Sequence, residues 1–232
     1  MLSKFLCMNK WGSSVLMIAG LLAMAPQSHA ALLGLPVVAP GTTLPPGNAT
    51  GDPVGTLVAG PLVSPYSFNT SAGITSGTLT TSVYRETASG TLDFYYQVAN
   101  SATSATAIAR NADTNFTGFT TAMGYRSDGS LLTGFVNGTV APVLVDRNAA
   151  GNTNGFSFNL TDANKIAPGQ TSTALVVSTN ATNWMAGNAS IIDGGTQTVA
   201  AFQPAAGVPE PGTMLLLGGG LMALAGFRKF RR

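Results

Sequence analysis

A chain of 232 residues that is 45% hydrophobic and only 9% charged is long enough for one domain of about 150 residues to bury a core and stand without cross-links. Its single cysteine and single histidine, Cys7 and His29, both fall in the first thirty residues, so the chain beyond them has no disulfide, thiol nucleophile or imidazole base and none of the His or Cys ligands of zinc and copper sites, and Ser-His-Asp hydrolysis is excluded. The net charge of +2 comes from the ends: between them Arg85, Arg110, Arg126, Arg147 and Lys165 are outnumbered by Asp52, Glu86, Asp93, Asp113, Asp128, Asp146, Asp162 and Asp193, which does not support a nucleic-acid surface.

Residues 1–10 carry Lys4 and Lys10 and no acid, residues 15–25 are an apolar run, and Ser28-His29-Ala30 places small residues at the −3 and −1 positions of a cleavage site. This order predicts a secretory signal peptide over 1–30, cut between Ala30 and Ala31, with the Sec translocon and signal peptidase as partners. An uncleaved anchor is disfavoured, because the run is short and Pro26 ends it. A lipoprotein is disfavoured as well, since Cys7 precedes the run instead of closing it.

Residues 31–53 are dense in proline and glycine, including Pro45-Pro46-Gly47, and read as an extended lead segment. The domain predicted to follow runs from 54 to 203. Residues 54–63 suggest a first strand interrupted at Gly60-Pro61. A hairpin is predicted from 78–86, the turn Thr87-Ala88-Ser89-Gly90, and 91–100. In its second strand Leu92, Phe94, Tyr96 and Val98 share one face, expected in the core, while Asp93, Tyr95 and Gln97 share the other. Further strands are expected over 103–110, over 116–126 with a bulge at Gly118, and within 131–145 around Asn137-Gly138, a dipeptide suited to a type I′ hairpin. Others are expected over 156–160, 171–179, 189–192 and 196–202, with Ala174 to Val177 buried on both faces. Eight to ten short strands and no long helix between the termini predict an all-β domain, an antiparallel β-sandwich of jelly-roll type.

Glu86 and Asp93 lie near one hairpin end, and paired carboxylates can hydrolyse glycosides at suitable spacing; the competing reading is solvated acids flanking a turn. Calcium is the one metal the mature composition permits, through Asp113, Asp128, Asp146, Asn148, Asn152 or Asp162. Those residues form no known loop pattern, so turn chemistry is favoured, and neither a metal nor a cofactor is expected. Tyr95, Tyr125 and Trp184 could stack on sugar rings or be ordinary core aromatics. Asn48-Ala49-Thr50 and Asn159-Leu160-Thr161 fit the glycosylation triplet, as expected by chance in a chain rich in Asn and Thr. Thr78 and Thr80 are too few for an ice-binding threonine row.

After a spacer over 204–207 the chain ends in three signals over 208–232. Pro209 and Pro211 hold the backbone extended around Glu210. The stretch 213–227 is uncharged; the helix expected from Gly212 to Phe227 spans about 24 Å against a hydrocarbon core of about 30 Å. Its six Leu and Phe residues favour insertion by about 2–4 kcal/mol together. Arg228, Lys229, Arg231 and Arg232 follow directly, a basic end that stays on the cytoplasmic side and leaves the body outside. Val-Pro-Glu-Pro, a Leu/Gly-rich span and an Arg-rich end in this order resemble the PEP-CTERM sorting signal, a family also labelled as an ice-binding protein C-terminal domain. The resemblance covers about a tenth of the chain and describes delivery. It implies a Gram-negative source, transient anchoring in the inner membrane, and an exosortase that recognises Pro209, Glu210 and Pro211 and removes the transmembrane helix and basic tail. Release to the cell surface or the exopolysaccharide matrix follows. The expected function is that of an exported, non-enzymatic structural or adhesive protein of the surface or biofilm matrix; the alternative is a carbohydrate-binding or carbohydrate-cleaving surface domain.

Overall fold

The computed structural model describes residues 35–206. The signal peptide over 1–30 with Ala30 and Ala31, and the terminal segment with Pro209, Glu210, Pro211, the apolar stretch 213–227 and Arg228, Lys229, Arg231 and Arg232, lie outside the described residues. Among the described residues no helix is long and apolar enough to cross a membrane.

Twelve strands carry the fold: β1 (Thr43–Leu44), β2 (Gly47–Asn48), β3 (Thr56–Thr70), β4 (Gly73–Arg85), β5 (Leu92–Asn100), β6 (Arg110–Thr114), β7 (Thr121–Arg126), β8 (Leu144–Arg147), β9 (Thr153–Ser157), β10 (Ala174–Thr179), β11 (Asn183–Ile192) and β12 (Thr196–Ala205). They form two six-stranded sheets, one in the order β1-β8-β9-β6-β11-β12 and the other β2-β7-β10-β5-β4-β3. Every pairing is antiparallel except that of β2 with β7. β5 pairs with β10 in one sheet and β6 with β9 in the other, so two consecutive strands meet two later ones in reverse order across the sheets. The all-β expectation holds, and the sheets are mixed rather than wholly antiparallel.

Alternation along the strands builds the core. Leu92, Phe94, Tyr96 and Val98 of β5, Met123 of β7 and Leu175 and Val177 of β10 meet Val145, Phe156, Ala189 and Ile191 of the opposite sheet in one buried cluster. The opposite face of β5 is covered too. Tyr84, Tyr95, Ala122, Ala174 and Val176 lie under Leu35, Ala49, Leu132 and Phe135 in a second cluster. β10 is accordingly buried at every position, as its unbroken apolar run predicts.

The cover comes from two segments read differently in the sequence. The stretch 131–145, expected to hold a hairpin at Asn137-Gly138, has strand only from Leu144; the rest is a short 3-10 turn, Gly129–Leu131, and extended chain laid across the second sheet. Its polar groups find partners other than a hairpin ladder. Gln97 Nε2 donates to Val136 O at 2.8 Å, Val136 N donates to Gln97 Oε1 at 3.0 Å, and Ser130 N donates to Asn137 Oδ1 at 2.8 Å. Gly138 passes so close to Ser172 O that a side chain would collide with it. The dipeptide therefore serves close approach and not a turn. The proline-rich lead, for its part, lies against the sheets from Leu35 onward: β1 pairs with β8, β2 with β7, and Val38 is 1% exposed.

Other differences are local. No strand forms over 103–109 beyond a single bridge at Ile108; instead Ala105 N donates to Ile74 O and Ser104 Oγ to Ser76 O, pinning this stretch to the start of β4. Gly118 adopts φ +84° in the turn before β7 and is not a bulge. The true irregularity is in β3, whose register against β4 shifts between Leu57 and Leu62 around Gly60-Pro61.

Candidate functional site

Each cation in the described residues is engaged by its own chain. Arg85 donates to Gly90 O at 2.6 Å and Thr182 O at 3.0 Å. Arg110 forms a two-pronged pair with Asp146 at 2.5 and 2.8 Å on the outer face of its sheet, over Gly155. Arg126 is fully buried, with Asp128 at 2.7 and 3.0 Å and Asp52 O at 3.0 Å. Arg147, 5% exposed, donates to Gly151 O and Phe116 O. Lys165 sits 3.1 Å from Asp162 and 3.3 Å from Asp193. Four of the eight acids thereby have a cation beside them, and the geometry is that of loop closure and strand tethering.

Two acids are buried without such a partner. Asp93, on the outer face of β5, is 3% exposed, and burial pushes its carboxyl up to about 8; nearby Glu86 raises it further, while a hydrogen bond from Ser178 and the charge of Arg126 act the other way. Glu86 is half-buried and accepts from Ser89 Oγ at 2.7 Å. The two acids of the glycosidase hypothesis are therefore neighbours in unlike settings: one is buried on β5 beside Ser178, the other is half-buried next to a turn.

Asp113 lies in the core itself. Its register partners are Asn154 on β9 and Ala189 on β11, and Ala189 faces the core. Burial pushes Asp113 up to about 8 as well, against the opposing effects of a hydrogen bond from Asn111 Nδ2 at 2.9 Å and the charge of Arg110. At neutral pH both groups hold their protons.

The calcium candidates are scattered. Asp113 is in the core, Asp128 and Asp146 hold arginines, Asn148 and Asn152 bond each other at 2.5 Å, and Asp162 faces Lys165. Among the described residues no group of three or more His, Cys, Asp or Glu is arranged to hold a metal ion. Of the three aromatics, Tyr95 is buried and Tyr125 packs on the core, whereas Trp184 is 39% exposed and stacks edge-on against Phe202 at 5.2 Å. Thr78 and Thr80 are half-buried within β4, and both glycosylation triplets sit in turns or loops at strand ends.

One open groove has neutral walls. A space of about 430 Å³ is bordered by Ser76, Thr78, Asn100 and Ser101 beside Pro65 and Tyr66. No sequence motif marks it, because its lining comes from three strands whose register only the fold brings together.

Residues 207–232 match the PEP-CTERM protein-sorting motif. It is the motif of exported proteins processed by an exosortase. No curated protein and no solved structure matches the chain.

Proposed function

We propose that this chain, which carries a PEP-CTERM protein-sorting motif, is exported, transiently anchored in the inner membrane and trimmed by an exosortase at Pro209, Glu210 and Pro211. It then serves as a non-enzymatic structural or adhesive β-sandwich, of jelly-roll-like winding, at the cell surface or in an exopolysaccharide matrix. The observation that carries this reading is the motif match over 207–232. Two features support it. The last strand ends at Ala205, two residues before the motif begins, so trimming detaches the tail without cutting the fold. The groove beside Tyr66 presents hydroxyl and amide groups and no charge, a chemistry suited to the hydroxyls of neutral sugars. The cleaving alternative draws little support from Glu86 and Asp93, since a hydrolytic pair needs both carboxyls open to substrate.

Mass spectrometry of the protein recovered from outside the cell tests the sorting step. The mature chain is expected to begin at Ala31 and to lack the region from Thr213, and Glu210→Ala should leave the tail attached. Recovery of the untrimmed chain from the cytosol would overturn it. Binding of the exported protein to its host's exopolysaccharide, lost in Thr78→Trp, tests the role proposed for the groove.

A further inference from the structure

A β-sheet edge displays unpaired N–H and C=O groups that pair readily with another chain, and natural proteins guard such edges with prolines, charges, bulges or very short strands. The outermost edges here follow that pattern. β1 and β2 are two residues long and flank Pro45-Pro46. β3 carries Pro61, Pro65 and two register shifts. β12 carries Pro204, and Ser64 Oγ of β3 donates to Ala200 O at 2.8 Å, closing that side.

One inner edge is capped only at its ends, by Thr114 Oγ1 donating to Asn188 O at 3.1 Å and Arg85 donating to Thr182 O at 3.0 Å. β12 pairs with β11 along its whole length, Asn183 to Ile192, but β6 covers only Ala189 to Ile192 on the other side. The remaining segment, Asn-Trp-Met-Ala-Gly-Asn over 183–188, runs past the end of β6 with no strand beside it among the described residues. It contains no charge and no proline, and five of its six residues are exposed. Trp184 and Met185 are neighbours on the strand and are 39% and 49% exposed, so both faces of the projecting ladder are open to solvent.

We propose that this edge pairs with the same edge of a second copy, antiparallel about a two-fold axis, joining the two sheets into one. The occupant follows from the composition: an uncharged segment meets no like-charge repulsion when opposed to itself, and antiparallel strands satisfy the two-fold symmetry of a self-complementary contact. Trp184 and Met185 of the two copies cover one another on either side of the new ladder. The contact is short, well below the extent of a permanent interface, so association is concentration-dependent and favoured where copies are crowded on a surface.

Sedimentation velocity of the full chain in mild detergent, over a concentration series, tests this. The wild type is expected to pass from monomer to dimer, with amides of 183–187 gaining protection from hydrogen exchange as the dimer forms. Met185→Lys should stay monomeric at the same concentrations with an unchanged melting midpoint. Leu160→Lys, which removes a more exposed apolar residue elsewhere, should dimerise as the wild type does. A wild type that is monomeric throughout, a dimer that Met185→Lys leaves intact, or protection of 183–187 that is independent of concentration would each overturn the proposal.

Discussion

Asp113 illustrates what a single side chain contributes when the fold puts it in the wrong solvent. Its carboxyl sits in the apolar core opposite Asn154, and only the protonated form is tolerated there, so its affinity for protons rises to about 8 from an ordinary 3.8. Asp93 behaves alike on the outer face of β5. Between the two limits the unfolded chain has released these protons while the folded chain still holds them, so stability falls as pH rises through this window and levels off above it. Each such group costs about 1.4 kcal/mol per pH unit inside this window and one kcal/mol moves the midpoint of a domain this size by about 2–4 °C, so a fall of about 5–10 °C per pH unit between about pH 5 and about pH 7 is expected in thermal melts. Asp113→Asn keeps the shape and removes the ionisation. It should melt higher than wild type at pH 8 and show a shallower pH slope; an unchanged slope would mean that Asp113 is hydrated in the folded state.

The elements show why some of the fold was legible and some was not. Period-two alternation in Leu92 to Val98 correctly gave both the strand and its core face, and the run Ala174 to Val177 correctly gave a strand buried on both sides. The same alternation sets Asp93, Tyr95 and Gln97 on the other face but leaves its cover open, because a strand's own sequence does not say what will be laid over it. The cover, 129–143, has the apolar content of a strand, but Gln97 captures the backbone of Val136 and the hairpin signal at Asn137-Gly138 goes unused. That tertiary bond outweighs a local turn preference. The edge at 183–188 was missed for the opposite reason: its Asn and Gly residues lower strand propensity, and only pairing with β12 makes it extended. If Gly138 is fixed by its approach to Ser172, Gly138→Ala should cost about 1–3 kcal/mol. The loss should appear in thermal melts together with faster proteolysis within 129–143. Gln97→Leu, which leaves the Val136 amide and carbonyl without their side-chain partner, should open the same segment at a cost of similar size.

At the level of the whole molecule the question is where the folded body begins. The cut expected after Ala30 would leave only a few residues before Leu35, which is 6% exposed and lies over the second sheet's outer face. From there the lead is tied in at intervals. Met123 N donates to Pro36 O at 3.0 Å, Val38 N to Thr121 O at 2.9 Å, Ala49 N to Tyr125 O at 2.8 Å and Arg147 N to Thr42 O at 3.0 Å. These bonds cover the free sides of β7 and β8, the strands that would otherwise end each sheet on this flank. A composition rich in proline and glycine with little periodicity looks like a linker when apolar periodicity is the criterion, yet proline suits an edge strand whose N–H groups face outward. Removing residues 31–53 would therefore expose two sheet edges and strip Leu35, Val38 and Ala49 from the two apolar clusters. Burying Leu35 and Val38 alone is worth about 3–6 kcal/mol by area, a large share of the net stability of an ordinary domain. The shortened chain should melt far below the form that begins at Ala31, and amides of β7 should exchange fastest. A shortened chain with an unchanged midpoint would show that the lead decorates the sandwich rather than completing it.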